Sequence, residues 1–365
     1  MIKSRLNWKI LLFAPVAVAM AAFGVVAPAQ AQLIPPSRVM AAPTTTTQSL
    51  QSLVGHPPAA GKRWIVNDSV AYGQAVKSGK WVHTPSGLSY TGCVFHFPNL
   101  ANVRNGLVTL KSGATKQLKP CEYPTLAYPG SAKPAAVTTT PVAGTGLTTP
   151  AGGSCAFGPG GVWWAASCYG SQPTWVKSMV QDQSVPNDPA KDGALIFLWG
   201  GLEDGPGDTL LQDVLTWGAN AGIVTNPNVW YVTNWYLWGN TSVTSASIHV
   251  EPGNTIQAAL TASNCNSSGD CTWLMKSTDV STGQVTSYTV GSEVNFTLVI
   301  GADMEVPSGE GCVETPPDGH EAFRNLVMTG NTGTITPDFG SSTPDPQCSV
   351  SITQTPTAAD ILWKP

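Results

Sequence analysis

The sequence predicts an all-β protein whose main part is a two-sheet antiparallel β-sandwich. Three observations predict it. After about residue 153 the apolar runs are short and bounded by Gly, Pro, Asn or Asp. Several alternate with period two: "QVTSYTV" sends Val285, Ser287 and Thr289 to one side and Thr286, Tyr288 and Val290 to the other. No segment carries a long 3.6-residue apolar period. In chain order the expected strands are 161–166, 174–180, 194–199, 210–217, 229–238, 243–250, 255–261, 272–276, 284–290, 294–302 and 323–329.

What precedes the sandwich divides by composition. Lys3, Arg5 and Lys9 lead into an apolar run from Ile10 to Val26 and then "APAQAQ". A basic start, a hydrophobic stretch and a small-x-small site describe a secretory signal peptide over residues 1–31. The run is shorter than the ~20 residues of a spanning helix. Residues 32–61 ("AAPTTTTQSLQS" within them) have the composition of a flexible Pro/Thr/Gln leader. Residues 62–130 carry strand-like pieces ("RWIV", "GCVFHF", "GLVTL") and form a small β-rich domain or a pro-segment. Residues 131–153 are a Pro/Thr/Gly linker, and the sandwich occupies 154–365.

Charge and cysteines narrow the class. Without the signal peptide the chain keeps 15 basic against 22 acidic residues, and only 11% of all residues are charged. That argues against a nucleic-acid binder, which needs a basic patch, and against anionic membrane surfaces. Sparse charge also suits an acidic medium. The expected location is extracellular or periplasmic. Eight cysteines lie in the secreted part: Cys93, Cys121, Cys155, Cys168, Cys265, Cys271, Cys312 and Cys348. An even count in an oxidising compartment reads as disulfides. No CxxC or HExxH is present, so no metal or other cofactor is expected. Eight cysteines allow 105 pairings, and neighbourhood along the chain favours Cys93–Cys121, Cys155–Cys168, Cys265–Cys271 and Cys312–Cys348.

One polar residue stands out. "GDTLLQDVLTWG" is apolar on both faces, through Leu210, Leu211, Val214, Leu215 and Trp217, yet holds Gln212 in its middle. A buried amide left without partners costs about 1–3 kcal/mol. Either the core satisfies it or it faces a groove. Aromatic residues crowd both faces of "WYVTNWYLW": Trp230, Tyr236 and Trp238 on one, Tyr231 and Trp235 on the other. Any single ring of this kind is more often core than site. In "VNFTLVIGADMEV" period two sets Asp303 and Glu305 against Ala302 and Met304, provided Gly301 makes no bulge. A carboxylate to activate water and an amide N–H to hold an oxyanion would make a reaction centre.

"WGGLEDGPGDTLLQDVLTWG" followed by "VWYVTNWYLWG" resembles the eqolisins, the glutamic peptidases. "VEPGNTIQAALTA", "STGQVTSYTV" and "GVWWAASCYG" with "TWVKSMVQDQSVP" are similar to further motifs of that family, in order, from about Gly161 to about Gly330. The chain also resembles secreted sandwich proteins with a concanavalin A-like jelly roll. The resemblance implies that Gln212 and Glu305 are catalytic and that Trp199, Glu203, Trp235 and Trp238 line the cleft. Leu237 stands where the family has Glu in Trp-Tyr-Glu-Trp. The implied function is an acid-acting endopeptidase of a monomeric protein, with an extended polypeptide as substrate. Two readings stay open beside it: a non-catalytic or carbohydrate-binding jelly roll that presents a tryptophan-rich face, and a glycan-cleaving enzyme acting on polysaccharide, which needs a carboxylate pair.

Overall fold

The computed structural model describes residues 61–128 and 163–365, apart from 67–68, 86, 171–174, 205–206, 221, 293, 308–310 and 344–346. The expected signal peptide, leader and linker therefore lie outside the described residues, as does Cys155.

Eight short strands and one helix come first: β1 (Ile65–Val66), α1 (Ser69–Ser78), β2 (Trp81–Thr84), β3 (Gly87–Tyr90), β4 (Val94–His96), β5 (Asn102–Arg104), β6 (Leu107–Thr109), β7 (Thr115–Gln117) and β8 (Thr125–Leu126). The longer strands follow: β9 (Trp163–Gly170), β10 (Val176–Ser184), β11 (Ile196–Asp204), β12 (Thr209–Trp217), β13 (Trp230–Trp238), β14 (Thr241–Thr244), β15 (Ile248–Val250), β16 (Thr255–Ser263), β17 (Cys271–Asp279), β18 (Val285–Ser292), β19 (Phe296–Glu305) and β20 (His320–Gly330). Four short ones close the chain: β21 (Gly333–Ile335), β22 (Gly340–Ser342), β23 (Ser351–Thr355) and β24 (Ala358–Leu362).

These strands make a two-sheet sandwich. The front sheet runs β22-β9-β19-β11-β12-β13-β14-β4, with β15 beside β13. The back sheet runs β23-β24-β20-β10-β16-β17-β18-β5-β6-β7, with β21 beside β20. From β9 to β24 every pairing is antiparallel. Between the sheets, Leu202, Leu211, Tyr236, Val243, Phe296 and Val299 of the front pack with Met179, Leu260, Trp273, Met275, Tyr288 and Met328 of the back. A second part of the same layer joins Ile196, Leu198, Leu215, Trp217, Trp230 and Met304 to Ile256, Phe323 and Ile361.

The N-terminal segment does two things. β1, β8, β3 and β2 make a small sheet of their own, backed by α1 through Ala71 and Ala75. β4 instead pairs in parallel with β14, and β5 pairs in parallel with β18, so the segment extends both sandwich sheets. Phe97, Ala101, Val103, Val108 and Leu118 are buried in the inter-sheet core as a result. Both sheet edges on that side are thereby covered.

Disulfides join Cys93 to Cys121, Cys265 to Cys271 and Cys312 to Cys348; Cys168 is also disulfide-bonded. No helix among the described residues is long and apolar enough to cross a membrane.

Candidate active site

The outer face of the front sheet, turned away from the back sheet, carries the residues of interest. Strand alternation puts Leu210, Gln212 and Val214 of β12 there, with Phe197 and Trp199 of β11, Trp235 and Leu237 of β13 and Ile300 of β19; their apolar members form one cluster. Glu203 falls on the same face by alternation. Trp238 does not: it shares the face of Tyr236 and packs against the inter-sheet core. Of the residues expected to line a cleft, the structure gathers Trp199, Glu203 and Trp235 with Gln212 and sets Trp238 on the other side.

Gln212 is held between Gly201 on β11 and Trp235 on β13, its cross-strand partners. Gly201 makes that position possible. A Cβ there would meet the Leu211 carbonyl oxygen and come within 3.2 Å of Gln212 Cγ. The glycine thus opens the side-chain layer beside the amide, on the side toward β19.

On β19 the alternation is broken. The register against both β9 and β11 shifts between Ile300 and Asp303, which is the bulge that Gly301 permits. Phe339 and Ser167 crowd the position, at 2.8 and 3.0 Å from where a Cβ would sit. The bulge puts Leu298 and Ile300 on the outer face, opposite Ala302 and Met304, with which unbroken period two would group them. Beyond it, Ala302 and Met304 face the core and Asp303 and Glu305 face outward. Both carboxyls are fully buried, as is Gln212.

Their environment is costly. Neither oxygen of Asp303, neither oxygen of Glu305 and neither polar atom of Gln212 has a hydrogen-bond partner of full geometry. Burial, then the neighbouring Glu305, pushes the Asp303 carboxyl well above the usual range. Burial raises Glu305 as well, against the opposing pull of the Trp199 indole N–H and the Arg63 guanidinium. Another buried acid, Asp213, lies on the inner face of β12, where burial raises it to about 7 and the Ser277 hydroxyl bonded to it at 2.7 Å works the other way. Its neighbours there are Ser277 and Asn234.

Segment 61–128 packs over the outer face, together with Ile223 of the loop after β12. Val94 packs on the apolar cluster. Tyr128 is stacked on His83 at 6.0 Å, donates to the Thr84 carbonyl at 2.9 Å, and is raised by burial and by the charge of Glu305. Arg63 is half-buried, with Glu203, Asp208, Glu305 and Asp204 in its field; burial pushes its guanidinium down and these acids push it back up. At the rim, Asp208 accepts from the Lys62 ammonium at 2.9 Å and the Arg63 N–H at 2.8 Å. Asn240, in the β13–β14 turn, accepts from the Trp64 N–H and donates to the Tyr123 carbonyl, both at 2.9 Å. Sequence reasoning missed Arg63. The only available signal was a lone arginine beside Trp64 in an apolar run.

No family model matches the chain, and no curated protein matches it. Among solved structures it is similar to scytalido-glutamic peptidase bound to a peptide-based transition-state analogue. There it has 18% identity and a TM-score of 0.39, over 56% of this chain and 98% of that one. SCP-B, described as a member of the eqolisin family in complex with the tripeptide Ala-Ile-His, gives 18% identity and a TM-score of 0.38 over the same shares. The enzymatically active domain of the bacteriophage CBA120 tailspike protein 2 gives 11% and 0.27, over 44% of this chain and 23% of that one.

Proposed function

We propose that this protein is an acid-acting endopeptidase of the glutamic type, held latent while residues 61–128 cover its front sheet. In this reading Gln212 offers its amide N–H to the oxyanion, and an acidic group of β19 activates the water. The resemblance to the eqolisins implies Glu305 for that role. The observation that carries the reading is a buried amide on the same face as two buried carboxyls, none of them with a hydrogen-bond partner of full geometry. A fold gains no stability from such groups, since each unpaired one costs on the order of 1–3 kcal/mol; they are retained for chemistry. The ordered motifs around Gln212 support the same class. The test is incubation of the full chain with acid-denatured protein across acid pH, with pepstatin present to silence aspartic peptidases. Absence of cleavage at every pH, with the covering segment attached and after proteolytic nicking, sinks the reading.

A second reading has one specific observation in its favour. Asp303 and Glu305 stand two residues apart on one face of one strand, and glycoside hydrolysis uses two carboxyls about 5–9.5 Å apart. Release of reducing ends from polysaccharide, with no peptide cleavage, would favour it.

A further inference from the structure

The acid that works with Gln212 is set by strand register, and the register favours a residue other than Glu305. Gln212 pairs with Gly201, and Gly201 pairs with Ile300. One row further along, Val214 pairs with Trp199 and Trp199 with Asp303; two rows along, Thr216 pairs with Phe197 and Phe197 with Glu305. At about 3.4 Å per residue and 4.8 Å per strand, Asp303 Cα lies roughly 12 Å from that of Gln212 and Glu305 Cα roughly 17 Å. Two side chains leaning across the gap at Gly201 close much of the first distance. The second is too long for both groups to address one reacting atom, which demands contact near 3 Å from each.

Resting on the peptidase reading, we infer that Asp303 is the catalytic carboxyl partnered with Gln212 and that it shares a single proton with Glu305. The two side chains emerge on one face two residues apart, both fully buried, with no hydrogen-bond donor of full geometry to hold two negative charges. Like charges confined in this way do not ionise together. The charged and titratable groups that act on the pair come from the cover: Arg63 on Glu305, and Tyr128, whose own ionisation Glu305 opposes. From β11 the Trp199 indole N–H favours a charged Glu305. With the one cation acting on Glu305 and shared with Glu203, Asp208 and Asp204, one proton stays on the pair.

The chemistry balances with that proton. Ionised Asp303 takes a proton from water as the water oxygen bonds to the peptide carbon. The carbonyl electron pair moves onto oxygen, where the Gln212 N–H meets it. The carbon–nitrogen bond then breaks, and the leaving amine takes a proton from the pair. One proton again remains on the two carboxyls.

The experiment uses the full chain, with side-chain carboxyls labelled by 13C and followed by NMR against pH. In the wild type the pair should titrate in two separated steps. In Asp303→Asn, Glu305 should titrate in one step at lower pH; an unchanged Glu305 titration overturns the shared proton. On acid-denatured casein, Asp303→Asn should lower kcat by about 100-fold or more with KM within about threefold, and Asp303→Glu should recover part of the rate. A wild type that cleaves beside an Asp303→Asn that cleaves equally overturns this inference alone. A wild type that cleaves nothing at any pH, both intact and after proteolytic nicking of the cover, overturns the peptidase reading, and the role of Asp303 with it.

Discussion

The side-chain amide of Asn220 donates to the main-chain oxygen of His83 at 2.8 Å. The bond runs from the loop after β12 to the end of the small N-terminal sheet, so it pins the cover over the face that holds Gln212. A hydrogen bond of this kind contributes about 0.5–1.5 kcal/mol. Asn220→Ala should therefore leave the sandwich intact and raise the rate at which the cover opens. Hydrogen exchange would show it as faster exchange in residues 81–90 and 125–128, with β16 and β17 unchanged. Equal protection in the small sheet would mean that the rim bonds of Asp208 and Asn240 hold the cover alone.

Gln212 offers a stability test of its role. Its amide is buried with both polar atoms lacking partners of full geometry, so an apolar side chain of similar size removes a cost of about 1–3 kcal/mol. Gln212→Leu should raise Tm while abolishing proteolysis. Gln212→Glu should also abolish it. A fall in Tm for Gln212→Leu would show that the amide is satisfied and has a structural function.

The sandwich was legible because burial and period coincide in its long strands. β12 and β13 were expected within a residue of where they lie, and Asp303 and Glu305 lie opposite Ala302 and Met304 as period two sets them, although the bulge that the reading had excluded is present. Unbroken period two would put Leu298 and Ile300 on the other side; the bulge at Gly301 is not marked locally, and the residues that leave no room for a side chain there, Phe339 and Ser167, are far off in sequence. α1 escaped notice because its buried residues are Ala71 and Ala75, which carry little hydropathy. β23 and β24, around Pro356, gave no apolar run to read. Residues 62–130 showed strands and a disulfide, but nothing local says that β4 and β5 join two different sheets; that is decided by the exposed edges of β14 and β18.

Acid should act on the cover and the sandwich in opposite directions. His83 sits in the cover, and burial lowers it from 6.5 to about 4. Its neutral form is the one that fits, so the stability it allows is full above 6.5 and falls as pH drops toward 4, by about 1.4 kcal/mol per pH unit. Asp303, Glu305 and Glu321 are raised by burial. Raised acids favour the fold below their ordinary range and penalise it as pH rises, so acid relieves the sandwich. Between pH 6.5 and 4 the cover should loosen while β9–β24 stays folded. His83→Phe, which keeps the stacking on Tyr128, should move this opening to lower pH or remove it; an unaltered pH midpoint by hydrogen exchange would count against His83 as the cause.

The cover should also survive a cut in the chain. Residues 131–153 have the composition of an accessible linker, and the Cys93–Cys121 bond closes within the segment, so no covalent tie would hold residues 61–128 after cleavage there. Their burial would. Phe97, Val103, Val108 and Leu118 sit in the inter-sheet core, at about 1.5–3 kcal/mol for each fully buried side chain. β4 and β5 add backbone pairing to both sheets. A linker-cut protein should therefore run as one species by gel filtration at neutral pH, with both fragments in the same peak and only a modest loss in Tm. Exposure of the front sheet would then come from movement of the part built on β1, β2, β3 and β8, which adds no strand to the sandwich, about the Cys93–Cys121 bond at its boundary. Reduction of that bond in the cut protein should accelerate opening several-fold. Separation of the N-terminal fragment at neutral pH, leaving a folded remainder, would show instead that β4–β7 are dispensable and that the segment is a removable pro-region.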